Sequence, residues 1–223
     1  MKLKPCPEFG QAILPYYENK FESGFIILQP FTKYRNQDRK LFEDEEWPKS
    51  SNIIKLLQPL SWQYIINEFS FKSIEELDYA LLSWIHAIFS KDEKLAQKIE
   101  LIRSENIFEP SNGVFDEFLF QIFIEILSEE GYKSVRIADE FFDTVQELTI
   151  KNAKNQDDFL FPRNIYSPDE KILFTVHWDS FFVIFLGSKE LIEKYTTKHK
   201  LEGFWCNQET DVFWSKQIAN QIL

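Results

Sequence analysis

The side chains best placed to do chemistry lie close together in Leu173-Phe174-Thr175-Val176-His177-Trp178-Asp179-Ser180. If one strand persists through this run, its two-residue repeat turns His177 and Asp179 to the same face. An imidazole and a carboxylate so placed can share a metal ion, or act as a general base and the group that orients it. Asp139, Glu140 and Asp143 follow a second strand-like run. Carboxylates at strand ends can complete such a site in an open sheet. A plainer reading is available for the same residues. Asp179 and Ser180 suit a turn whose side chains bond nearby backbone groups, leaving His177 as a half-buried cross-strand residue. A third reading makes the hairpin part of a binding surface. Nothing local forces the groups of a catalytic or metal site to converge.

Other nucleophiles have weaker settings. Ser180 is not in Gly-x-Ser-x-Gly, and no glycine-rich elbow surrounds it. Cys206 and His199 share the C-terminal region, yet a Cys–His nucleophile needs a lowered thiol pKa and a hydrogen-bonded base. A small buried hydrophobe is the plainer expectation for Cys206. His86 lies off the main apolar face of its helix and reads as a surface residue. Two cysteines and three histidines do not make the common four-ligand zinc patterns. Cys6 and Cys206 read instead as free thiols of a reducing cytosol. The six glycines form neither Gly-x-Gly-x-x-Gly nor Gly-x-x-x-x-Gly-Lys-Ser/Thr, so dinucleotide and P-loop sites are disfavoured. The acid pairs Glu75-Glu76 and Glu129-Glu130 fall on expected helix surfaces. No metal and no cofactor is expected.

Aromatic residues and charge point another way. The 223 residues include 23 Phe, 8 Tyr and 6 Trp against one Met. Most of that bulk belongs in a core, and Trp84, Trp178 and Trp214 are expected there. Trp47 is the exposed anchor, because it follows the acid run Glu43-Asp44-Glu45-Glu46. Trp205 is intermediate. Exposed tryptophans are favoured interface residues, so Trp47, Glu43, Glu45, Glu46 and Trp205 are the binding candidates. The chain carries 25 Lys+Arg and 36 Asp+Glu, a formal charge of -11. That balance argues against a general nucleic-acid binder, which needs basic patches. It keeps a Phe-rich chain in solution and would complement a basic protein partner. No apolar run approaches the roughly 20 residues of a membrane helix, and no apolar run follows the basic residues of the start. The expected setting is cytoplasmic, away from membranes.

Period and punctuation set the elements that would hold these residues. Residues 1–24 read as an irregular arm, limited by Pro5, Pro7 and Pro15. Phe25-Ile26-Ile27-Leu28 is an internal strand, and 33–51 a long polar loop. Helices follow over 62–69, capped by Ser61, and behind the capping box of Ser73 and Glu76. Two more are expected over 91–105 and 114–130. The last is apolar around most of its girth, as a sandwiched core helix is. Then the period changes. Strands are expected over 134–138 and 145–150, and a hairpin pairs 171–177 with 181–186. Ser188 caps a short helix through Tyr195, 201–206 is an edge strand, and 211–222 a last amphipathic helix. The order gives an α+β fold: a two-layer, mostly antiparallel sheet packed against an N-terminal helical set. One domain over 1–223 is expected, helix-rich over about 52–130 and strand-rich over about 131–223.

The run from Leu173 to Ser180, with Leu201-Glu202-Gly203-Phe204-Trp205-Cys206 and Val212-Phe213-Trp214-Ser215, resembles an uncharacterised family of spore-forming Gram-positive bacteria, a domain of unknown function. Ser61-Trp62-Gln63, the break at Asn112-Gly113 and Ala138-Asp139-Glu140-Phe141 look like that family too. The resemblance covers most of the chain from about residue 25 and implies no catalytic residues; it makes a familiar enzyme class a poorer expectation. By type rather than motif, the chain is also similar to bacterial immunity proteins that neutralise a toxin. The expected function is therefore a non-enzymatic cytoplasmic protein-interaction module, in its narrower form a toxin-neutralising immunity protein. The alternative is a small metal-dependent hydrolase or ligand-binding enzyme using His177 and Asp179 with Asp139 and Glu140.

Overall fold

A computed structural model describes residues 3–18, 20–35, 49–85, 92–154 and 162–218. In chain order it opens with α1 (Ile13–Tyr16), β1 (Ser23–Leu28), β2 (Phe31–Tyr34), α2 (Ser50–Leu56) and β3 (Leu57–Leu60). Three helices and a short strand follow: α3 (Trp62–Glu68), α4 (Ile74–Ile85), α5 (Glu93–Ser104) and β4 (Ile107–Phe108). Next come α6 (Glu117–Glu129), β5 (Ser134–Ala138), β6 (Val145–Thr149), α7 (Ile150–Lys154) and β7 (Asn164–Tyr166). The described chain closes with β8 (Leu173–Thr175), β9 (Phe182–Gly187), α8 (Lys189–His199), β10 (Gly203–Trp205) and a 3-10 turn, Trp214–Ile218. These elements form two compact units, one of Met1–Gln29 and Ser111–Val212, the other of Pro30–Pro110 and Phe213–Leu223. The α+β class holds, with antiparallel sheets packed against helices.

The first unit is built on a seven-stranded sheet in the order β10-β1-β9-β8-β7-β5-β6. Every pairing in it is antiparallel. Register aligns Phe25, Phe185, Phe174, Ile165 and Ile137 in one row across five strands. Alternation turns that row to one face, where α6, α7 and α8 cover it in a shared core. Much of the phenylalanine content is used here. The Phe123 ring of α6 stacks on Phe174 at 4.1 Å, and Phe174 lies 4.5 Å from Phe185. Helix α6 was expected with the helix-rich part of the chain; it lies in the first unit, on this sheet. Asp116 caps it, accepting from the N–H groups of Phe118 at 2.8 Å and Leu119 at 3.1 Å.

The next row, Ile26, Ile184, Thr175, Asn164 and Ala138, faces the other way. The N-terminal arm lies over this face. Its Leu14 reaches the space above Gly24, and Cys6, Ile13, Tyr17 and Phe21 are buried. The arm is tied down by the Tyr17 hydroxyl donating to the Pro5 carbonyl at 3.2 Å and by an ion pair between Lys20 and Glu170. The structure thus gives the proline-rich segment a role that its irregularity alone does not reveal.

The second unit holds a three-stranded sheet, β3-β2-β4, and α2 to α5. Trp62 is fully buried, its ring 5.6 Å from Phe31. Ser61 caps α3 by accepting from the Tyr64 N–H at 3.0 Å. Ser73 accepts from the Glu76 N–H at 3.3 Å, while Glu76 reaches the N–H of Lys72, one residue earlier than a regular capping box. Glu76 is buried rather than on the surface, with Lys98 Nζ 3.6 Å away.

Three expectations need correction. The polar stretch 33–51 is not all loop, since β2 runs to Tyr34 and α2 begins at Ser50. Strand β3, for which no expectation was stated, accommodates Pro59 because it is a sheet edge, where a missing N–H removes no ladder bond. Trp178 is 46% exposed rather than in the core, because the chain turns at that residue, and Trp84 and Trp214 are half-buried. The last helix appears, within the described residues, as a 3-10 turn. No helix among the described residues is long and apolar enough to cross a membrane.

Candidate functional site

Strand directions bring the sequence-derived candidates to one end of the first unit's sheet. Ala138 at the end of β5 pairs with Asn164 at the start of β7, and Asn164 pairs with Thr175 at the end of β8. Loops 139–144 and 176–181 therefore leave the sheet at the same end. Arm residues 6–9 join them, since Glu8 Oε2 lies 3.9 Å from His177 Nε2.

Strand β8 stops at Thr175, so the alternation expected to align His177 with Asp179 does not extend that far. The two meet in a turn instead. The Asp179 N–H donates to His177 Nδ1 at 3.3 Å, and the Ser180 N–H to the His177 carbonyl at 3.0 Å. The Ser180 hydroxyl faces the carbonyls of His177 and Phe182 at 2.9 and 3.2 Å. His177 is buried, deeper than a half-covered cross-strand residue. Gly113 locks the turn from outside. Its N–H donates to the Ser180 carbonyl at 2.8 Å, its φ is +61°, and a Cβ there would stand 1.9 Å from the Trp178 carbonyl oxygen. Only glycine fits so close to another backbone in that conformation.

In the neighbouring loop, Asp139 accepts from the N–H groups of Asp143 at 2.9 Å and Thr144 at 2.8 Å. Burial works against its charge, but these backbone donors outweigh it and hold the carboxyl below the usual range. Asp139 thus organises its own loop, while Glu140 is half-buried and Asp143 exposed. Between the loops runs a buried polar chain that the sequence reading did not single out. The Thr175 hydroxyl donates to Asn164 Oδ1 at 2.7 Å, and Asn164 Nδ2 donates to the Asp139 carbonyl at 2.6 Å. The signal was present as a threonine and an asparagine inside apolar strands, but only register shows them adjacent. Cys6, from the arm, lies against Thr175. Burial pushes its thiol far up, the Thr175 hydroxyl opposes the rise, and the charges of Glu8 and Glu140 add to it. Cys206 is pushed up to about 12 by burial. Both thiols move opposite to what a nucleophile requires. Among the described residues no group of three or more His, Cys, Asp and Glu side chains is disposed to hold a metal ion.

What this end presents to solvent is aromatic and acidic. Phe9, Phe141 and Trp178 are 46%, 59% and 46% exposed. Glu8, Glu140, Asp143 and Asp179 stand among them in the same three segments. Trp205 is exposed on the edge strand β10, its ring edge-on to Phe25 at 5.4 Å. Glu43, Glu45, Glu46, Trp47 and His86 lie outside the described residues.

Residues 10–216 match a family model described as a protein of unknown function, DUF2711. No curated protein and no solved structure matches the chain.

Proposed function

The chain belongs to the DUF2711 family, and from that premise we propose that it is a non-enzymatic protein-interaction module. The observation that carries this reading is the exposure of Phe9, Phe141 and Trp178 on loops at one end of the first sheet. Large aromatics exposed on loops are typical interface anchors. The polar groups beneath them are engaged in holding the loops: Asp139 binds two N–H groups, and His177 Nδ1 accepts from Asp179. The metal-dependent hydrolase alternative would need His177, Asp179, Asp139 and Glu140 to face a substrate together, and no observation favours it.

The narrower form is an immunity protein that binds a basic toxin in the cytoplasm. The charge of -11 supports it, through attraction of a cationic partner. The test is co-purification of the full chain with the product of the adjacent gene, followed by mass measurement of the native complex. A protein partner near equal stoichiometry is expected. A chain that takes no protein partner but carries a small ligand overturns the proposal.

A further inference from the structure

Building on the interaction-module reading, on which it rests, we infer that the loop end of the first unit's sheet docks a cationic peptide segment, one presenting lysine or arginine side chains. The surface has two components that suit such an occupant. Phe9, Phe141 and Trp178 are each about half exposed, and an aromatic ring attracts a guanidinium or ammonium group over its face within about 6 Å. Glu8, Glu140, Asp143 and Asp179 supply carboxylates beside those rings. The cation of the neighbouring segment, Arg163, is half-buried and directs its guanidinium at the Gly113 carbonyl. The aromatic surface is thus framed by negative charge. Charge complementarity selects a basic occupant and disfavours nucleic acid, anionic lipid and a second copy of this acidic end.

The rim is also held in shape before anything binds. Asp139 fixes one loop through two backbone N–H groups, and Gly113 and Ser180 fix the other. A preformed rim loses little conformational freedom on binding.

The test uses the full chain and a fluorescein-labelled decapeptide of alternating arginine and alanine, followed by fluorescence anisotropy. Trp178→Ala and the double variant Glu140→Gln/Asp179→Asn are compared with the wild type. The control is Glu190→Gln/Glu193→Gln, an equal loss of charge on the exposed face of α8. Phe141→Ser gives a second aromatic variant should Trp178→Ala disturb the turn, and circular dichroism checks folding of all. Kd should weaken about five- to tenfold for the rim variants and less than about twofold for the control. Equal weakening in the rim and control doubles overturns the inference, as does unchanged binding by both aromatic variants. The two readings fail separately. A co-purifying partner held unchanged by the rim variants overturns the docking surface and leaves the interaction module standing. Absence of any protein partner, with the decapeptide still bound at the rim, overturns the module and leaves the cation-binding surface.

Discussion

Asp78 is a fully buried carboxylate on α4, and neither of its oxygens has a hydrogen-bond partner among the described residues. Burial pushes it up to about 7, with the nearby Ser215 hydroxyl opposing the rise and Glu75 adding to it. An unfolded aspartate titrates near about 4, so the folded chain binds this proton more tightly. Its stabilising contribution is complete below about pH 4 and is lost as pH rises through about 7. Urea unfolding between about pH 5 and about 8 should show the wild type losing stability that Asp78→Asn retains; equal slopes would remove this account. Asp116, also raised to about 7 by burial, keeps part of the slope in that variant. At the first sheet, Thr175→Val should cost about 1–3 kcal/mol, because it leaves buried Asn164 Oδ1 without its hydroxyl donor. Thr175→Ser should recover most of the loss in the same denaturation assay. Neither Asp78 nor the Thr175–Asn164 pair was legible in the sequence. Acids on an amphipathic helix look solvated, and adjacency across strands is a property of register. His177 and Asp179 were legible as neighbours because they lie two residues apart, but the sequence offered a strand face where the structure has a turn.

At the scale of elements, the turn 177–180 depends on a residue far away in sequence. Gly113→Ala would set a methyl group against the Trp178 carbonyl at a positive φ. The expected cost is more than about 2 kcal/mol. Displacement of the turn should also change the emission of the exposed Trp178, separating this effect from a general loss of stability. A stability change below about 0.5 kcal/mol, with unchanged emission, would show that the turn holds without this contact. Elements with strong period or clear caps were readable: the α6 stripe, the β8–β9 hairpin, and the Ser61 and Ser188 caps. The second unit's sheet was not. Its strands are short, one carries Pro59, and β4 has two residues, so no window holds enough alternation to register. Strand β7 escaped for the same reason, three residues whose pairing on both sides defines them.

Across the whole molecule, charge acts before contact does. A chain of -11 with an acidic, aromatic loop end should capture a basic partner by long-range attraction. Stopped-flow association with the decapeptide should slow by roughly tenfold between about 50 and about 300 mM salt, with a smaller change in dissociation. A rate insensitive to salt would remove electrostatic steering from the account. Composition made this scale legible from the start, since net charge needs no fold. The acidic run Glu43 to Glu46 beside Trp47 is visible in sequence because it is local, and it lies outside the described residues. Glu8, Glu140, Asp143 and Asp179 come from three separate segments, and the fold assembles them.

The position of β1 also has a consequence for how the protein is made. It lies inside the sheet, yet Leu28 pairs with Phe182 and Ile27 with Gly203. During synthesis the apolar run Phe25-Ile26-Ile27-Leu28 therefore emerges long before either neighbour exists. Pairings so distant along the chain are slow to form and leave strand edges exposed to aggregation. Until β9 and β10 have left the ribosome, this segment has neither of the strands that flank it in the folded sheet.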